Sequence, residues 1–293
     1  MKDLVLIIDG LNFIYRGLLA FGKSKPSGEE LAAMTLEQRE ELENKLDYTI
    51  VFNFFRNLRS LIENFEPSKC FFILEGRPEF RKKLFPDYKK NRLVKEGSSQ
   101  EKSKRNIMRQ ADLIYKLISL LPITMVRAAA YEADDVIYTL ANDLKDEKVI
   151  IVSSDSDMIQ IIQNLSAYDV RLFNPRLKEF IQSPEYVYLV WKSIAGDKSD
   201  NIPSVASAKK AELFAQDSSK LKEFLANEEN RANFSLNKEL IELKLVPADQ
   251  LEFTEYKTDF NALFDEFFKL EFTSLVKEPY KEKFIQTFAD NLI

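Results

Sequence analysis

The stretch "YEADDVIYTLANDLKDEKVIIVSSDSDM", residues 131–158, sets acidic side chains beside strongly apolar sequence. Glu132, Asp134 and Asp135 open a segment with helical spacing of apolar residues, and Asp155 and Asp157 follow the apolar run at 149–153. A short run of this kind is typical of a strand buried on both faces in a parallel sheet. The stretch therefore predicts a helix followed by a buried strand, with acids at the start of the helix and at the end of the strand.

The same alternation continues along the chain in both directions. Four further apolar runs are "LVLII" (4–8), "CFFIL" (70–74), "ITMV" (123–126) and "VRLF" (170–173), and segments of helical period lie between them. Strands alternating with helices predict a doubly wound, mostly parallel α/β domain, which we place at residues 1–184. Residues 185–293 show no clear strand and are expected to form a smaller helical region. Residues 24–47 are expected to be a polar excursion with helical tendency.

Composition excludes several classes of chemistry. The chain has 293 residues, no histidine and one cysteine, Cys70, so an internal disulfide, a structural zinc site and every Ser-His or Cys-His catalytic pair are excluded. Catalysis must use Asp, Glu, Lys, Arg, Tyr or a metal bound by oxygen. No stretch approaches the roughly 20 apolar residues that span a bilayer, and the N-terminus lacks a signal-peptide pattern. A cytoplasmic protein with no membrane contact is expected.

Acidic residues recur where the predicted strands end. Because the carboxyl ends of parallel strands meet at one edge, we expect these acids to converge. Two carboxylates about 4 Å apart repel by roughly 4 kcal/mol at an effective dielectric near 20, and bound cations remove that repulsion. Oxygen ligands without His or Cys favour Mg²⁺ or Mn²⁺, and the number of acids suggests two ions. The candidate ligands are Asp9, Glu75, Glu132, Asp134, Asp135, Asp155, Asp157, Asp197 and Asp200.

Each acidic motif also has an ordinary structural explanation. The three acids at 132–135 are suited to capping a helix N-terminus, and "SDSD" and "IDG" are common turn sequences. Their conjunction is what favours a metal site, because an acid follows three of the predicted strands, those at 4–8, 70–74 and 149–153. The strand "ITMV" leads into the three acids at 132–135.

Residues 77–105 form a strongly basic segment in an acidic protein. The segment holds eleven Lys or Arg against four Asp or Glu, whereas the whole chain has a net charge of −5. A solvated charged face is one explanation. Phe80, Phe85 and Tyr88 interleave with the charges, however, as a surface that binds phosphates and stacks on bases requires. An acidic metal pocket beside such a surface indicates phosphodiester hydrolysis on nucleic acid.

Five motifs, taken together, resemble the 5′-nuclease superfamily. They are "IIDGLNFIYR" (7–16), "FRKKLFPDYKKNR" (80–92), "YEADDVI" (131–137), "SSDSDM" (153–158) and "GDKSDNIPSV" (196–205). The superfamily contains flap endonucleases, the 5′ to 3′ exonuclease domain of bacterial DNA polymerase I and phage exonucleases. "DYKKNR" and the low glycine content are most similar to phage enzymes of the ribonuclease H type. The resemblance covers roughly residues 4–205 and implies a PIN-like catalytic domain with a basic arm at about 77–105.

The resemblance also implies roles for individual residues. Two Mg²⁺ ions, for which Mn²⁺ substitutes, would be held by the nine acids. Asp9, Glu75, Glu132, Asp134 and Asp155 would form the first site, with Asp135 mainly outer-sphere, and Asp157, Asp197 and Asp200 the second. Lys89 and Arg92 would act on the scissile phosphate. The implied substrate-binding residues are Arg16, Arg81, Lys82, Lys83, Tyr88 and Lys90, with Tyr88 stacking on a terminal base.

The sequence departs from the family pattern at two places. Glu75 stands where the family usually has Asp. The family's helix-hairpin-helix has glycine-rich turns that bind K⁺, but residues 204–211 read "SVASAKKA" without glycine. This difference argues against a K⁺ site and shifts duplex anchoring to Lys209 and Lys210.

The implied function is a structure-specific 5′-nuclease, acting as an exonuclease or flap endonuclease. Its partners would be DNA with 5′ flaps or ends and RNA–DNA hybrids, during primer removal in replication. A monomer is expected, with a sliding clamp or single-strand-binding protein as further candidate partners. The C-terminal "EKFIQTFADNLI" (282–293) is interpreted either as a helix that completes the core or as a clamp-binding tail.

Three alternatives are weighed against this function. A phosphohydrolase with an aspartyl nucleophile needs a second Asp two positions after Asp9, where Leu11 stands. A topoisomerase-primase type domain would use Glu75 and the "DSD" motif but leaves Asp9, Asp197 and Asp200 unexplained. A structure-specific DNA-binding protein with weak or lost catalysis is the alternative from another class, although all nine acidic positions are retained.

Overall fold

A computed structural model describes residues 3–19, 35, 48–92 and 98–292 of the chain. Apart from Thr35, the predicted polar excursion at 24–47 lies outside the described residues, as do residues 93–97 of the basic segment. Within the described ranges, no helix is both long enough and apolar enough to cross a bilayer.

The described residues form a seven-stranded, mostly parallel sheet. The strands are β1 (Leu4–Asp9), β2 (Lys69–Ile73), β3 (Thr124–Arg127), β4 (Lys148–Val152), β5 (Val170–Asn174), β6 (Glu179–Ile181) and β7 (Glu252–Thr254). Their order across the sheet is β6-β5-β4-β1-β2-β3-β7. The five predicted strands are confirmed and pair in parallel, while β6 and β7 are antiparallel edge strands.

The two edge strands correct the sequence analysis. We expected no strand after residue 185, and this is wrong because β7 pairs with β3. All three residues of β7, "EFT", are exposed, so this strand has no apolar run by which to be recognised. An edge strand of three residues is held by its backbone hydrogen bonds to the sheet, and its side chains carry little signal.

The helices cover both faces of the sheet and build the region after β6. They are α1 (Gly10–Leu19), α2 (Thr49–Phe65), α3 (Glu79–Leu84), α4 (Ser99–Ile118), α5 (Ala133–Asp143), α6 (Ile159–Asn164), α7 (Tyr188–Ala195), α8 (Ala208–Gln216), α9 (Ser218–Phe224), α10 (Glu228–Ile241), α11 (Phe260–Lys269), α12 (Thr273–Val276) and α13 (Tyr280–Asn291). Short 3-10 turns at Lys90–Arg92, Ser156–Met158 and Lys198–Asp200 border the candidate site. The fold class predicted from sequence is confirmed.

Strand β1 shows why the central strands read as continuous apolar runs. Leu6 and Ile8 enter the core on one face, with α2 and α4, while Val5 and Ile7 enter the core on the other, with α5 and α6. Side chains alternate across a strand, so a strand covered on both sides needs an apolar residue at each position. Fully burying one such side chain contributes about 1.5–3 kcal/mol. The two cores fix the carboxyl ends of the strands.

The C-terminal helices belong to the same core as α2. Phe267 of α11 and Phe284 and Phe288 of α13 are fully buried there, and Phe55 of α2 contacts Phe267 edge to face at 4.9 Å. The segment at 282–293 therefore completes the core, which was the first of the two interpretations. The division at residues 184 and 185 stays a prediction, but residues from β7 onward pack with the sheet and do not form a separate helical unit.

Candidate functional site

A cavity of about 850 Å³ lies at the carboxyl ends of the central strands. The register aligns these ends, because Asp9 pairs with Ile73 and Ile8 with Val152. The residues that follow the three strands are thereby brought to one edge, as the sequence predicted. Eight of the nine predicted metal-site acids line the cavity: Asp9, Glu75, Glu132, Asp134, Asp155, Asp157, Asp197 and Asp200.

Two glycines allow the strand ends to approach each other closely. A Cβ added to Gly10 would lie 2.3 Å from the Ile73 carbonyl oxygen, and one added to Gly76 would lie 2.1 Å from the Ala128 carbonyl oxygen. Neither distance is tolerated, so any side chain at these positions would push the strand ends apart. Glycine thus keeps Asp9 and Glu75 close to the start of α5.

The acids fall into two groups according to whether they form an ion pair with Lys or Arg. The first group, the unpaired acids, consists of Asp9, Glu75, Asp134 and Asp155. Within the described part of the chain, none of them forms an ion pair with Lys or Arg. Asp9 accepts hydrogen bonds from the Ser153 hydroxyl at 2.8 Å and the Asn12 amide at 3.2 Å. These neutral donors orient the carboxylate without cancelling its charge. Asn12 and Ser153 were not foreseen from the sequence.

The surroundings of Asp9, Glu75 and Asp134 disfavour the charged forms of these three acids. Burial raises the pKa of Asp9 to about 6, with hydrogen bonds opposing and the charge of Asp155 adding to the shift. Desolvation by the cavity walls, followed by the charge of Glu132, raises the pKa of Glu75 to about 7. Burial, then Asp155 and Asp9, raises the pKa of Asp134 well above its usual range. The charge of Lys89 opposes the shift at Glu75 only in part, and a bound cation would balance more of the negative charge.

The remaining acids form the second group, the paired acids, which are Glu132, Asp135, Asp157, Asp197 and Asp200. All five accept salt bridges from Lys or Arg side chains of the chain itself. Apart from Asp135, the acids of the two groups line the same cavity, but the groups differ in how their negative charge is balanced.

Glu132 and Asp200 are joined by residues of the basic segment. Lys89 contacts Glu132 directly and lies 3.7 Å from Asp200, while Arg92 contacts Asp200. The Tyr88 hydroxyl lies 2.9 Å from a Glu132 carboxylate oxygen and 3.2 Å from an Asp200 carboxylate oxygen. Lys89 and Arg92, the predicted phosphate-contacting pair, are therefore in the cavity beside the acids.

The position of Tyr88 differs from the predicted one. Its side chain is only 5% exposed, and its hydroxyl hydrogen-bonds Glu132 and Asp200. Stacking on a terminal base requires an accessible ring, so that expectation is wrong for this arrangement. Tyr88 instead holds two acids from distant parts of the chain in place.

Asp157 and Asp197 share a lysine that the sequence analysis did not identify. Lys192 Nζ lies 3.1 Å from Asp157 Oδ1 and 2.8 Å from Asp197 Oδ2. The Tyr188 hydroxyl lies 2.9 Å from Asp157 Oδ1. Tyr188 and Lys192 are four residues apart on α7 and so lie on one helix face. That spacing within "PEYVYLVWKSIAG", just before Asp197, was the available signal.

The lysine changes the titration of both acids. Burial raises the pKa of Asp157 to about 6, although Lys192 opposes the shift. For Asp197, burial is outweighed by hydrogen bonds from Lys192 and Ser199, so its pKa is lowered. The difference follows from their positions, because Asp157 also lies near the negative charge of Asp155.

Asp135 and Arg81 lie outside the cavity, and the position of Arg81 corrects a prediction. Arg81 is 2% exposed and Asp135 fully buried, and the guanidinium binds the carboxylate through two hydrogen bonds of 2.6 and 2.9 Å. Arg81 also donates to the Leu240 carbonyl, and the Lys244 amide donates to Asp135. Arg81 is therefore not available to substrate. Asp135 does not line the cavity, and its mainly outer-sphere role at the metal site stays a prediction. The pair joins α3 and α5 to the segment after α10.

The basic segment is docked against the loop after α7. The Asn91 amide donates to the Lys198 carbonyl at 2.6 Å, and the Lys89 backbone amide donates to the Asp200 carbonyl at 2.9 Å. Lys82 and Lys90 line the cavity, as predicted for substrate-binding residues, whereas Lys83 is exposed away from it. The docking fixes Lys89 relative to the acids.

Three further predicted substrate-binding residues lie away from the cavity. The Arg16 guanidinium is half-buried over the Phe13 ring, 5.7 Å from its centroid. Lys209 and Lys210 are exposed in the first turn of α8. Their contact with duplex DNA stays a prediction. The site would then extend from the cavity along the hairpin between α7 and α8.

Backbone carbonyls of the hairpin between α7 and α8 accept hydrogen bonds from the chain itself. The Asn237 side-chain amide donates to the Ser193 and Pro203 carbonyls at 2.9 and 2.8 Å. The Ile194 carbonyl accepts from the amides of Val205 and Ala206. These three carbonyls already accept hydrogen bonds from the chain itself, and the expected absence of a K⁺ site stays a prediction.

The donor chemistry of the acidic cavity suits a hard divalent cation, although among the described residues no three acids are arranged as a ready metal-binding group. Its acids offer only oxygen donors, which Mg²⁺ and related cations prefer. None of the unpaired acids forms an ion pair within the described residues, and the raised pKa values of Asp9, Glu75 and Asp134 show the electrostatic demand for a cation.

Comparison with known proteins shows that the chain is similar in sequence to bacterial DNA polymerase I and to 5′-3′ exonucleases. DNA polymerase I of Treponema pallidum is 28% identical over 220 residues, which is 70% of this chain but 19% of the polymerase. A 5′-3′ exonuclease of Buchnera aphidicola is 27% identical over 208 residues, covering 69% of this chain and 65% of that protein. The chain thus spans about a fifth of the polymerase relative and just under two thirds of the exonuclease.

Solved structures share the fold at low sequence identity. The bacteriophage T5 D15 protein, co-crystallised with metal ions, matches with a TM-score of 0.60 and 15% identity over 98% of both chains. Human GEN1, in complex with Holliday junction DNA, matches with a TM-score of 0.55 and 14% identity over 97% of this chain and 71% of that one. The family model for the 5′-3′ exonuclease N-terminal resolvase-like domain matches residues 4–188, more than half of the chain. The chain therefore belongs to the 5′-3′ exonuclease family.

Proposed function

We propose that the protein is a metal-dependent, structure-specific 5′-nuclease. It would act as a 5′-3′ exonuclease or flap endonuclease on DNA and on RNA-primed DNA, in primer removal during replication. The observation that carries this proposal is the convergence of four unpaired acids with Lys89 and Arg92 in one cavity. The names of the relatives, 5′-3′ exonuclease and DNA polymerase I, support it.

The proposed cofactor is a pair of Mg²⁺ ions, for which Mn²⁺ would substitute. The unpaired acids, with Glu132, would hold one ion, and Asp157, Asp197 and Asp200 the other. When bound, such ions supply an acidified water and neutralise charge on the leaving oxygen. The Buchnera relative is named an exonuclease and the T5 D15 protein was crystallised with metal ions, which supports metal dependence in this fold.

The chain's own cations would bind and orient the phosphodiester. Lys89 and Arg92 lie at the cavity wall and present donors for phosphate oxygens. Charge-assisted hydrogen bonds to phosphate are stronger than neutral ones, and Arg offers a planar, bidentate donor set. Lys82 and Lys90, exposed at the rim, would attract the approaching backbone. Tyr88 would keep Glu132 and Asp200 apart at a fixed distance.

Duplex binding would extend to the hairpin between α7 and α8. Lys209 and Lys210 stand in the first turn of α8, where the helix dipole also favours a phosphate. A sliding clamp or single-strand-binding partner, a monomeric state and a cytoplasmic location are further predictions of the sequence analysis.

The test is cleavage of three 5′-labelled substrates: a flap, an RNA-primed duplex and a plain single strand. Each is incubated with Mg²⁺, with Mn²⁺ and with EDTA. We expect metal-dependent cutting at or near the junction, with a 5′ phosphate on the product. Junction binding without cutting in either metal would instead identify a DNA-binding protein with lost catalysis. The variant Glu75→Asp would then test whether the departure from the family pattern is responsible.

A further inference from the structure

We propose that Lys192 is a positioning residue that competes with the second divalent cation for Asp157 and Asp197. On this proposal the two cation positions differ in affinity. A substrate phosphate makes the weaker position available to its cation by giving Lys192 a new partner. The inference rests on the proposed function, because it assumes that divalent cations enter this cavity.

The contacts of Lys192 carry the proposal. Its ammonium lies 2.8 Å from Asp197 Oδ2 and 3.1 Å from Asp157 Oδ1, and its side chain is 11% exposed. Asp157 follows β4 and Asp197 follows α7, so the two acids come from separate elements. In the described chain, Lys192 is the cation that joins them. The Tyr188 hydroxyl, 2.9 Å from Asp157, holds that carboxylate against the same helix face.

The other cations at the cavity are placed differently. Lys89 and Arg92 contact Glu132 and Asp200, and their side chains are more exposed than that of Lys192. Because they are more exposed, Lys89 and Arg92 lose fewer contacts with the protein than Lys192 would when they turn toward a phosphate. Lys192, enclosed between two carboxylates, is the most constrained of the three.

The two groups of acids then respond differently to a divalent cation. Among the unpaired acids of the described chain, a cation meets no salt-bridged ammonium, and Lys89 acts on Glu75 only through its charge at longer range. Glu132, which completes that position, is contacted by Lys89, a more exposed lysine than Lys192. Between Asp157 and Asp197 it must displace Lys192 or bind beside a positive charge, and like charges a few ångströms apart repel strongly even in a solvated site. The first cation should bind tightly and the second weakly.

Substrate binding would change this balance. A phosphodiester in the cavity is an anion, which gives a displaced Lys192 ammonium a hydrogen-bonding partner. The second cation and the substrate would then each strengthen the binding of the other, because a coupling free energy between two sites is reciprocal. The full cation complement would assemble when DNA is present.

The test is a titration of the full chain with Mn²⁺ in the absence of DNA. Binding is measured by calorimetry and by the electron paramagnetic resonance signal of free Mn²⁺. We expect one tight and one weak site in the wild type. Lys192→Met should strengthen the weak site by roughly tenfold or more and leave the tight site unchanged, because it removes one positive charge at contact distance. Lys192→Arg, which keeps the charge, should leave the weak site weak.

A matched control removes a lysine from the same cavity. Lys90 lines the cavity, but its ammonium pairs with Asp87 and is exposed to solvent. Lys90→Met should leave both Mn²⁺ affinities unchanged. An equal effect of Lys90→Met and Lys192→Met, or no effect of Lys192→Met, overturns the proposal.

A measurement on the wild type covers the case in which Lys192→Met does not fold. Amine acetylation read by mass spectrometry should label Lys192 more at saturating Mn²⁺ than in EDTA, relative to Lys90. An unchanged ratio, with two bound Mn²⁺, overturns the inference and leaves the proposed function standing. Failure of any Mn²⁺ to bind, in the wild type and in Lys192→Met alike, overturns the proposed function itself.

Discussion

Asp134 and Asp135 are neighbours in sequence at the start of α5, yet they have opposite surroundings. Asp134 lines the cavity without an ion pair in the described chain, whereas Asp135 is fully buried against Arg81. Successive helix residues point about 100° apart, so one faces the cavity and the next faces the protein interior. The same chemical group is a candidate ligand at one position and a structural anchor at the next.

The two groups of acids extend this contrast to the whole site. The unpaired acids come from the ends of β1, β2 and β4 and from α5, which the parallel sheet brings together. The paired acids are balanced by cations from the basic segment and from α7. The sheet thus concentrates negative charge that is unfavourable by itself, and the elements packed beside it neutralise only part of that charge.

The largest expected effect on cleavage comes from removing one of the unpaired acids. Asp155→Asn should lower the cleavage rate by on the order of 10³ or more. The variant removes a ligand of the cation that stabilises the charge developing on the phosphodiester during cleavage. DNA affinity should stay unchanged or rise, since one negative charge is removed. Single-turnover cleavage and equilibrium binding of a flap substrate measure the two quantities.

The control is Asp146→Asn, at the opposite end of β4, where the side chain is exposed. It should cut at the wild-type rate. A normal rate for Asp155→Asn as well would remove that residue from the metal site.

A sharper form of the comparison uses the two neighbours on α5. Asp135→Asn should destabilise the protein by about 3 kcal/mol, because breaking a buried pair leaves Arg81 without its partner. Asp134→Asn should leave stability unchanged or raise it by about 1 kcal/mol in EDTA, because it removes like-charge repulsion. Denaturant unfolding of both variants measures the difference. Equal destabilisation of the two would contradict the division into groups.

The phosphate-binding role can be tested within the basic segment. Lys89→Ala should lower the single-turnover rate by on the order of a hundredfold, because a positioned charge next to the reacting phosphate is lost. Lys83→Ala, which removes an exposed lysine outside the cavity, should have a far smaller effect. Circular dichroism checks that both variants fold. If the two variants lose activity equally, the segment contributes only general charge.

The smallest expected effect is on the pH dependence of stability in EDTA. The folded-state pKa of Asp9 is about 6, above its ordinary value of 3.8, so the folded protein binds more protons between these values. Stability from this group is therefore fully present below pH 3.8 and lost as pH rises through 6, by about 3 kcal/mol in total. Asp9→Asn should flatten this part of the curve.

Excess Mg²⁺ should remove the same loss, since a bound cation replaces the missing positive charge. Urea midpoints measured between pH 4 and pH 8, with and without Mg²⁺, test this. Stability that rises over this range in EDTA, with no difference in Asp9→Asn, would contradict it.

The sequence foresaw the elements that carry long apolar runs. Strand β1 is recognisable because both of its faces are buried, and β7 is not, because its three residues are exposed and paired only through the backbone. The convergence of Asp9, Glu75 and Asp155 also followed from the sequence, since parallel strands place their carboxyl ends at one edge.

The sequence alone did not identify the side chains that bind the acids. Tyr188 and Lys192 are far along the chain from Asp157, and Arg81 is 54 residues from Asp135. Nothing in the local pattern of the basic segment separates Arg81, which is buried, from Lys82, which lines the cavity. That separation depends on how α3 packs against α5 and the segment after α10.

The sequence by itself determined the chemistry that is available: oxygen ligands without histidine, a parallel sheet that gathers them and a basic segment beside them. These follow from residue type and periodicity, which are local properties. Only the tertiary structure decided which carboxylates are left without a counter-charge and which are bound by Lys89, Arg81, Arg92 or Lys192. Ion pairing acts across a few ångströms of space, and residues far apart in the chain meet at that distance only after folding.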